Sequence, residues 1–198
     1  MKAYYDRRAA EYDDWYEGTG QFAREHRPAW NELLGELADA LRALQPARTL
    51  DVGCGTAYAT SWLPGEVTGL DQSPRMLEVA AARLPEATFV RGDALALPFA
   101  DDAFERLTAM SFYGHLELPA RERFLAEARR VAPELVVVDA ALRDDVEPEQ
   151  QQERVLGDGS RWTVFKRYFT PPELLAELGG GETIYAGRWF VAVRSPRG

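Results

Sequence analysis

The sequence predicts an α/β fold in which helices cover both faces of a mostly parallel sheet. Short apolar segments alternate with amphipathic helical segments from residue 48 to residue 138, and this alternation is typical of parallel sheets. Residues 135–138 (LVVV) are apolar throughout, as expected of a strand buried on both faces. Gly53 and Gly55 directly follow the first apolar segment, which indicates a tight turn at the end of a strand.

The first 46 residues are expected to form a helical arm ahead of the sheet. Residues 1–27 carry many aromatic side chains among charged ones. The aromatic side chains are expected to pack the arm on the domain, to form a lid over a site, or to do both. Pro28 precedes an amphipathic helix whose apolar stripe runs from Trp30 to Leu44.

The core, residues 47–138, is predicted to alternate strands and helices. Strands are expected at residues 49–52, 67–71, 88–90, 104–110 and 135–138, with helices after the glycine turn and at residues 74–84 and 121–131. Ser73 and Pro74 suit the N-cap and first position of a helix.

Residues 139–198 are predicted to form a substrate-side excursion and the closing strands. Residues 139–160 are rich in Asp, Glu and Gln, so we expect a surface excursion with some helix. A strand is predicted over residues 162–169, a short helix capped by Thr170 and Glu173, and a closing strand over residues 188–194. Since neither a repeat nor a linker is evident, residues 1–198 are expected to form a single domain.

Composition narrows the classes of partner. The net charge of −9 argues against nucleic acid as the partner, because phosphate binding needs clustered Lys and Arg. The single cysteine, Cys54, excludes an intrachain disulfide and a multi-cysteine metal site. The chain shows neither a signal peptide nor a run of apolar residues long enough to span a membrane. We therefore expect a cytoplasmic protein with no membrane partner. We also expect it to be a monomer or a homodimer.

Two acidic residues beside the glycine turn indicate a nucleoside-containing cofactor. Asp51 lies two residues before Gly53, and Asp71 ends the second predicted strand, where a carboxylate can accept hydrogen bonds from ribose hydroxyls. In dinucleotide-binding folds a third glycine follows the second by three residues, but Tyr58 occupies that position. A nicotinamide-dependent oxidoreductase is thus disfavoured, although it stays an alternative, as does a non-catalytic cofactor-binding protein.

Four ordered motifs resemble those of class I S-adenosylmethionine-dependent methyltransferases of the type 11 small-molecule group. They are residues 51–56 (DVGCGT), 70–73 (LDQS), 92–94 (GDA) and 97–105 (LPFADDAFE), and residues 4–13 resemble the arm that precedes this core. The resemblance implies a doubly wound, Rossmann-like three-layer sandwich with strand order 3-2-1-4-5-7-6 and an antiparallel last strand. It also implies in-line methyl transfer from S-adenosylmethionine to an oxygen, nitrogen or carbon of a small-molecule acceptor.

The resemblance also assigns the cofactor-binding residues. Gly53 and Gly55 would pass beneath the methionine part, Asp51 would lie near its amino end, and Asp71 would bind the ribose. The full set is Asp51, Gly53, Gly55, Asp71, Gln72, Met76, Asp93, Ala94, Met110 and Phe112, with Leu95 as a further apolar wall. Asp93 and the Ala94 amide would read the adenine edge.

His115 and Tyr113 are the candidate catalytic residues. They follow the fourth predicted strand, at the sheet edge where ligands bind in open α/β folds. His115 could act as a general base and Tyr113 could orient the acceptor. No metal is expected. The aromatic side chains that could contact a partly apolar acceptor are Tyr5, Trp15, Tyr16, Trp162 and Phe165, and the arginines that could meet an acidic group are Arg24, Arg27 and Arg161.

Overall fold

A seven-stranded sheet forms the centre of the computed structural model, which describes residues 2–23 and 26–196. The strands of the chain are β1 (Ala47–Val52), β2 (Gly65–Asp71), β3 (Thr88–Arg91), β4 (Arg106–Met110), β5 (Glu134–Ala140), β6 (Glu149–Val155), β7 (Arg161–Arg167), β8 (Glu182–Ala186) and β9 (Phe190–Pro196). The order in the main sheet is β3-β2-β1-β4-β5-β9-β8, and β9 alone runs antiparallel to the other six strands. Numbered by sheet strand alone, this confirms the expected order 3-2-1-4-5-7-6.

Helices cover both faces of this sheet, as the sequence predicts. They are α1 (Lys2–Arg8), α2 (Asp14–Glu17), α3 (Trp30–Arg42), α4 (Pro74–Arg83), α5 (Leu118–Val131) and α6 (Pro171–Glu177). The Ser73 hydroxyl caps α4 by accepting a hydrogen bond from the Met76 amide at 3.2 Å. Thr170 and Glu173 form the expected capping box of α6.

Two apolar clusters hold the layers together. On one face, buried side chains of α5 such as Phe124 and Val131 pack with the strand residues Leu107 and Val137. On the other face, the α3 stripe packs against side chains that include Val136 and Phe190. Because β4 is buried along its whole length, the two clusters enclose the middle of the sheet, and the site residues that follow β4 rest on a rigid base.

The helix expected after the glycine turn is not formed. Only a four-residue 3₁₀ turn, Ala59–Trp62, follows β1. Ala57 has a left-handed backbone with φ of 59°, and Leu63 is extended ahead of Pro64, as residues before proline prefer. The prediction was wrong because these two constraints leave space for a single turn.

Residues 139–160 contain a strand where some helix was expected. β6 pairs with β7 in a separate antiparallel hairpin, and the sixth strand of the main sheet is β8, which the sequence did not predict. The inward-facing positions of β6 are polar, so the apolar alternation that normally identifies a strand is missing.

The arm of residues 2–23 is tied by polar contacts to two loops of the core and to the hairpin. Asp6 accepts a hydrogen bond from the Ser73 hydroxyl at 2.6 Å, and Asp13 accepts one from the Thr56 hydroxyl at 2.6 Å. Glu11 accepts a hydrogen bond from the Gly157 amide at 2.9 Å. The arm therefore lies over the carboxyl ends of β1 and β2. None of the helices within residues 2–23 and 26–196 is long and apolar enough to cross a membrane.

Candidate functional site

The glycine turn after β1 brings the backbone close to Phe112. Gly53 has φ of 72°, and a Cβ atom there would lie 2.6 Å from Cδ2 of Phe112. Gly55 also has a left-handed backbone, with φ of 55°. Only glycine accepts such positions without strain, so the turn leaves peptide groups rather than side chains facing the adjacent space.

Asp71 connects this turn to the end of β2. Its Oδ2 accepts a hydrogen bond from the Gly55 amide at 3.1 Å, and its Oδ1 accepts one from the Ser73 amide at 2.8 Å. Burial raises the pKa of this carboxyl group, and the two amide donors oppose that rise. Asp71 therefore presents a pre-oriented acceptor at the carboxyl edge of the sheet.

A cavity of about 220 Å³, here called the small cavity, lies beside these residues. Seven of the residues assigned to the cofactor line it: Gly53, Gly55, Asp71, Gln72, Asp93, Ala94 and Phe112. Leu95 lines it as well, and its amide donates a hydrogen bond to Oδ1 of Asp93 at 2.9 Å. The ends of β1, β2, β3 and β4 thus bring most of the predicted set together.

The three other residues of that set lie elsewhere. Asp51 and Met110 line a narrow gap of about 10 Å³ that Gly53 also borders. Asp51 is 1% exposed and accepts hydrogen bonds from the Thr60 and Thr108 hydroxyls at 2.6 and 2.8 Å. Burial raises the pKa of Asp51 to about 7, and the threonine hydroxyls oppose the rise.

Met76 does not form a wall of the small cavity. Its side chain is fully buried in α4, and the residues lining the cavity do not include it. The expectation for Met76 is corrected: helix packing accounts for its burial, and Leu95, Leu70 and Leu116 supply the apolar wall instead.

A second cavity of about 700 Å³, here called the large cavity, shares three lining residues with the small one: Tyr5, Tyr12 and Ser111. Ser111 directly follows β4 and has φ of 54°, a conformation that is uncommon outside glycine and concentrates at functional sites. Ser111 lies between Met110 and Phe112, which the sequence assigned to the cofactor, and it is the residue of these three that borders both cavities.

His115 lines the large cavity. Its Nδ1 lies 2.8 Å from the Phe165 carbonyl oxygen, which can only accept, so Nδ1 carries the proton and Nε2 has the free lone pair. Burial and then the nearby Lys166 charge lower the pKa of His115 to about 3. His115 is therefore neutral across the physiological pH range and is a weaker base than we expected.

Tyr113 does not face either cavity. Its side chain is fully buried, and its hydroxyl donates a hydrogen bond to Glu177 of α6 at 2.7 Å. Because Tyr113 and His115 lie two residues apart in a 3₁₀ turn, their side chains diverge. The prediction that Tyr113 orients the acceptor is corrected: Tyr113 anchors α6.

Some of the residues that were expected to contact the methyl acceptor line the large cavity, and the others do not. Tyr5, Trp15 and Arg27 line the large cavity. Tyr16 stacks on Tyr58, Trp162 packs near Tyr4, and neither they nor Phe165 line that cavity. Arg161 is exposed and pairs with Glu153, while Arg24 lies outside the described residues. Within residues 2–23 and 26–196, no three His, Cys, Asp or Glu side chains form a group that could hold a metal ion.

Comparison with known proteins identifies the domain. Residues 50–134 match the family model described as "Methyltransferase domain". The chain also superimposes on the solved "DhpI-SAH complex structure" with a TM-score of 0.67 and 25% identity, covering 98% of this chain and 94% of that one. Residues 50–134 therefore form a methyltransferase domain of class I. The cofactor of this class is S-adenosylmethionine, as the sequence motifs indicate.

Curated relatives are similar to about half of this chain. The demethylmenaquinone methyltransferase of Thermotoga maritima is 36% identical over 107 residues, which cover 52% of this chain and 44% of that protein. Methyltransferase GfsG of Streptomyces halstedii is 31% identical over 134 residues, covering 60% and 48%. The chain thus spans about half the length of the curated relatives it matches.

Proposed function

We propose that this protein transfers the methyl group of S-adenosylmethionine to a small molecule held in the large cavity. The observation that supports this most is the junction of the two cavities at Tyr5, Tyr12 and Ser111. A cofactor in the small cavity and an acceptor in the large one would meet there. Such contact geometry is the main requirement of a displacement reaction.

The residues around the small cavity fit the parts of the cofactor. The backbone of Gly53 and Gly55, which carries no side chains, borders the small cavity and would pass beneath the methionine part. Asp71 would accept hydrogen bonds from the ribose hydroxyls, Gln72 would flank them, and Asp93 with the Ala94 amide would bind the adenine edge. Phe112, above Gly53, would contact the region near the sulfonium. Asp51, which lines the narrow gap that Gly53 also borders, would lie near the amino end of the cofactor. Met110 would line the same gap.

In this mechanism the bound cofactor supplies an activated methyl group, and the protein supplies position and shelter from water. Tyr5 and Tyr12 of the arm would close the junction against solvent. The neutral Nε2 of His115 would accept a hydrogen bond from an N–H or O–H group of the methyl acceptor and so orient that molecule. No strongly basic side chain is required where the nucleophile has already lost its proton.

Calorimetry tests the proposal. We expect S-adenosylhomocysteine to bind with a 1:1 stoichiometry and NAD to show no heat, because a 3₁₀ turn and Tyr58 replace the helix N-terminus that a pyrophosphate needs. Incubation with S-adenosylmethionine and a panel of small molecules, followed by mass spectrometry, should reveal an addition of one methyl group. Absence of S-adenosylhomocysteine binding would refute the proposal. Binding without methylated product would favour the non-catalytic alternative.

Cofactor affinity is expected to depend on pH through Asp51. If its ionised carboxylate receives the cofactor ammonium, affinity should rise up to about tenfold per pH unit until pH reaches the pKa of about 7, and then level off. The Asp51→Asn variant should bind more weakly and without this slope. Titration of S-adenosylhomocysteine binding by calorimetry between pH 5 and 8.5 measures both, and a slope retained in the variant would assign it to another group.

The raised pKa of Asp51 also makes the stability of the ligand-free protein depend on pH, in the direction opposite to that of cofactor affinity. The folded state holds the Asp51 proton more tightly than the unfolded chain does, so the contribution of Asp51 to stability falls as pH rises from 3.8 to about 7. Urea unfolding of the wild type and of Asp51→Asn at several pH values separates this contribution from that of other groups.

Replacement of His115 by asparagine tests its proposed role. The asparagine amide can still donate to the Phe165 carbonyl, but it lacks Nε2. With S-adenosylmethionine saturating at every pH, so that Asp51 does not contribute, we expect kcat/KM for the acceptor found in the panel to fall by about tenfold, the size of one lost hydrogen bond, with no step near pH 6.5 in either profile. A loss of 100-fold or more, or a wild-type step near pH 6.5, would assign His115 as a general base instead.

A further inference from the structure

The large cavity concentrates positive charge in a chain whose net charge is −9. Five cationic side chains line it, namely Arg8, Arg27, Arg143, Arg154 and Lys166, against two carboxylates, Asp145 and Glu153. Two of these cations are neutralised locally: Lys166 lies 2.5 Å from Asp139, and Arg143 lies 2.9 Å from Asp145. Among residues 2–23 and 26–196, Arg8 and Arg154 have no such partner.

Arg8, at the end of α1, is half-buried among aromatic rings. Its Nη1 donates a hydrogen bond to the Tyr4 hydroxyl at 2.7 Å, and its guanidinium lies 4.9 Å from the centre of the Tyr12 ring. Its Nε is buried and has no hydrogen-bond partner among the described residues, and no carboxylate of those residues forms an ion pair with it. Burial of a cation without an anion is unfavourable, so this position calls for an acidic ligand.

Arg154 reaches the same cavity from the hairpin. The positions of β6 that alternate inward are Gln150, Gln152 and Arg154. Inward-facing polar side chains on a strand reverse the usual pattern, which points to a ligand rather than to core packing. Arg154 hydrogen-bonds to Gln152, and no carboxylate in the described part of the chain forms an ion pair with it.

Arg8 and Arg154 both line the large cavity, where the arm meets the hairpin. Arg154 is the register partner of Trp162 across the hairpin, and the Trp162 ring lies 5.9 Å from that of Tyr4, which binds Arg8. Arg8 also contacts Tyr12, which borders both cavities. Arg8 is therefore placed beside the junction where methyl transfer is proposed, and Arg154 lines the same cavity.

We propose that the methyl acceptor is a small organic anion whose carboxylate or phosphate-type group binds to Arg8 and Arg154. This inference rests on the proposed function and narrows its substrate class. Two guanidinium groups can donate several charge-assisted hydrogen bonds to the oxygens of one oxyanion. The aromatic lining of the cavity, which includes Trp15, Trp30 and Trp189, would hold the organic part.

Paired ligands that differ in charge test this inference. Benzoate and phenylphosphonate are the anionic probes, and benzamide is the neutral isostere, each titrated into the protein saturated with S-adenosylhomocysteine. We expect at least one of the two acids to bind about tenfold or more tightly than benzamide, and to lose about tenfold in affinity in Arg8→Gln and in Arg154→Gln, the size of one lost charge-assisted hydrogen bond. Higher ionic strength should weaken binding of the acid but not of benzamide.

Arg7→Gln is the matched control, because Arg7 neighbours Arg8 on α1 but is exposed and pairs with Asp158 at 3.0 Å. It should bind the acids as the wild type does, whereas Arg8→Lys should retain part of the affinity. The inference is overturned if benzamide binds as tightly as both acids, or if Arg8→Gln and Arg154→Gln both keep wild-type affinity for the acids. Titration of S-adenosylhomocysteine into the wild type and into each variant is the independent readout. If the wild type did not bind S-adenosylhomocysteine, the proposed function itself would be refuted.

Discussion

Replacement of Asp71 by alanine is expected to reduce the affinity for S-adenosylhomocysteine by about 100-fold or more. The variant would lose charge-assisted hydrogen bonds to two ribose hydroxyls, each worth about 1.5–3 kcal/mol. It would also free the Gly55 and Ser73 amides that Asp71 holds at 3.1 and 2.8 Å, so the glycine turn would be less well ordered. Calorimetric titration with S-adenosylhomocysteine measures the loss.

Two controls separate these contributions. Asp71→Asn keeps an acceptor oxygen for one of the two amides and should fall between the wild type and the alanine variant. Glu66→Gln removes a carboxylate from the exposed, opposite end of the same strand and should leave affinity unchanged. If Asp71→Ala bound the ligand as tightly as Glu66→Gln, the assignment of the small cavity to the cofactor would be wrong.

Replacement of Lys166 by methionine is expected to lower the free energy of unfolding by about 3–5 kcal/mol, the usual cost of leaving a buried charge without its partner. Asp139 is fully buried and accepts hydrogen bonds from Lys166 at 2.5 Å and from the Gly114 amide at 2.7 Å. Without the ammonium group its carboxylate would keep only amide donors. Urea unfolding, monitored by circular dichroism, gives the difference.

The matched comparison is Arg161→Gln on the same strand. Arg161 also forms an ion pair, with Glu153, but both side chains are more than half exposed. Exposed pairs contribute only about 0–1 kcal/mol, so this variant should unfold almost as the wild type does. Equal losses in Lys166→Met and Arg161→Gln would show that burial of the Asp139 charge is not what makes the first pair important.

The sheet and most of the small cavity could be predicted because local sequence determines them. The glycines directly follow one apolar strand and Asp71 ends the next, and the ends of neighbouring parallel strands meet at one edge. The glycine turn at Gly53 and the cap at Ser73 likewise depend on residues close in sequence. In such cases spacing along the chain is enough to place a residue beside its neighbours in space.

The large cavity could not be predicted in this way because its walls come from distant segments. In the sequence, Gln152 and Arg154 belong to a polar segment that is typical of a solvent-exposed surface. They line the cavity only because the hairpin brings them to it. Arg8 becomes part of the cavity wall only when the arm packs over the core. His115 and Tyr113 differ by two positions yet face opposite directions, which no pattern in the sequence reveals.

The ties between the arm and the loops below it make the two mutually dependent. Asp6 holds Ser73 beside Asp71, and Asp13 holds Thr56 beside Gly55. A ligand that orders these loops must therefore strengthen the seating of the arm, and a seated arm must strengthen ligand binding by the same factor. Loss of these hydrogen bonds would thus weaken both the seating of the arm and the binding of such a ligand.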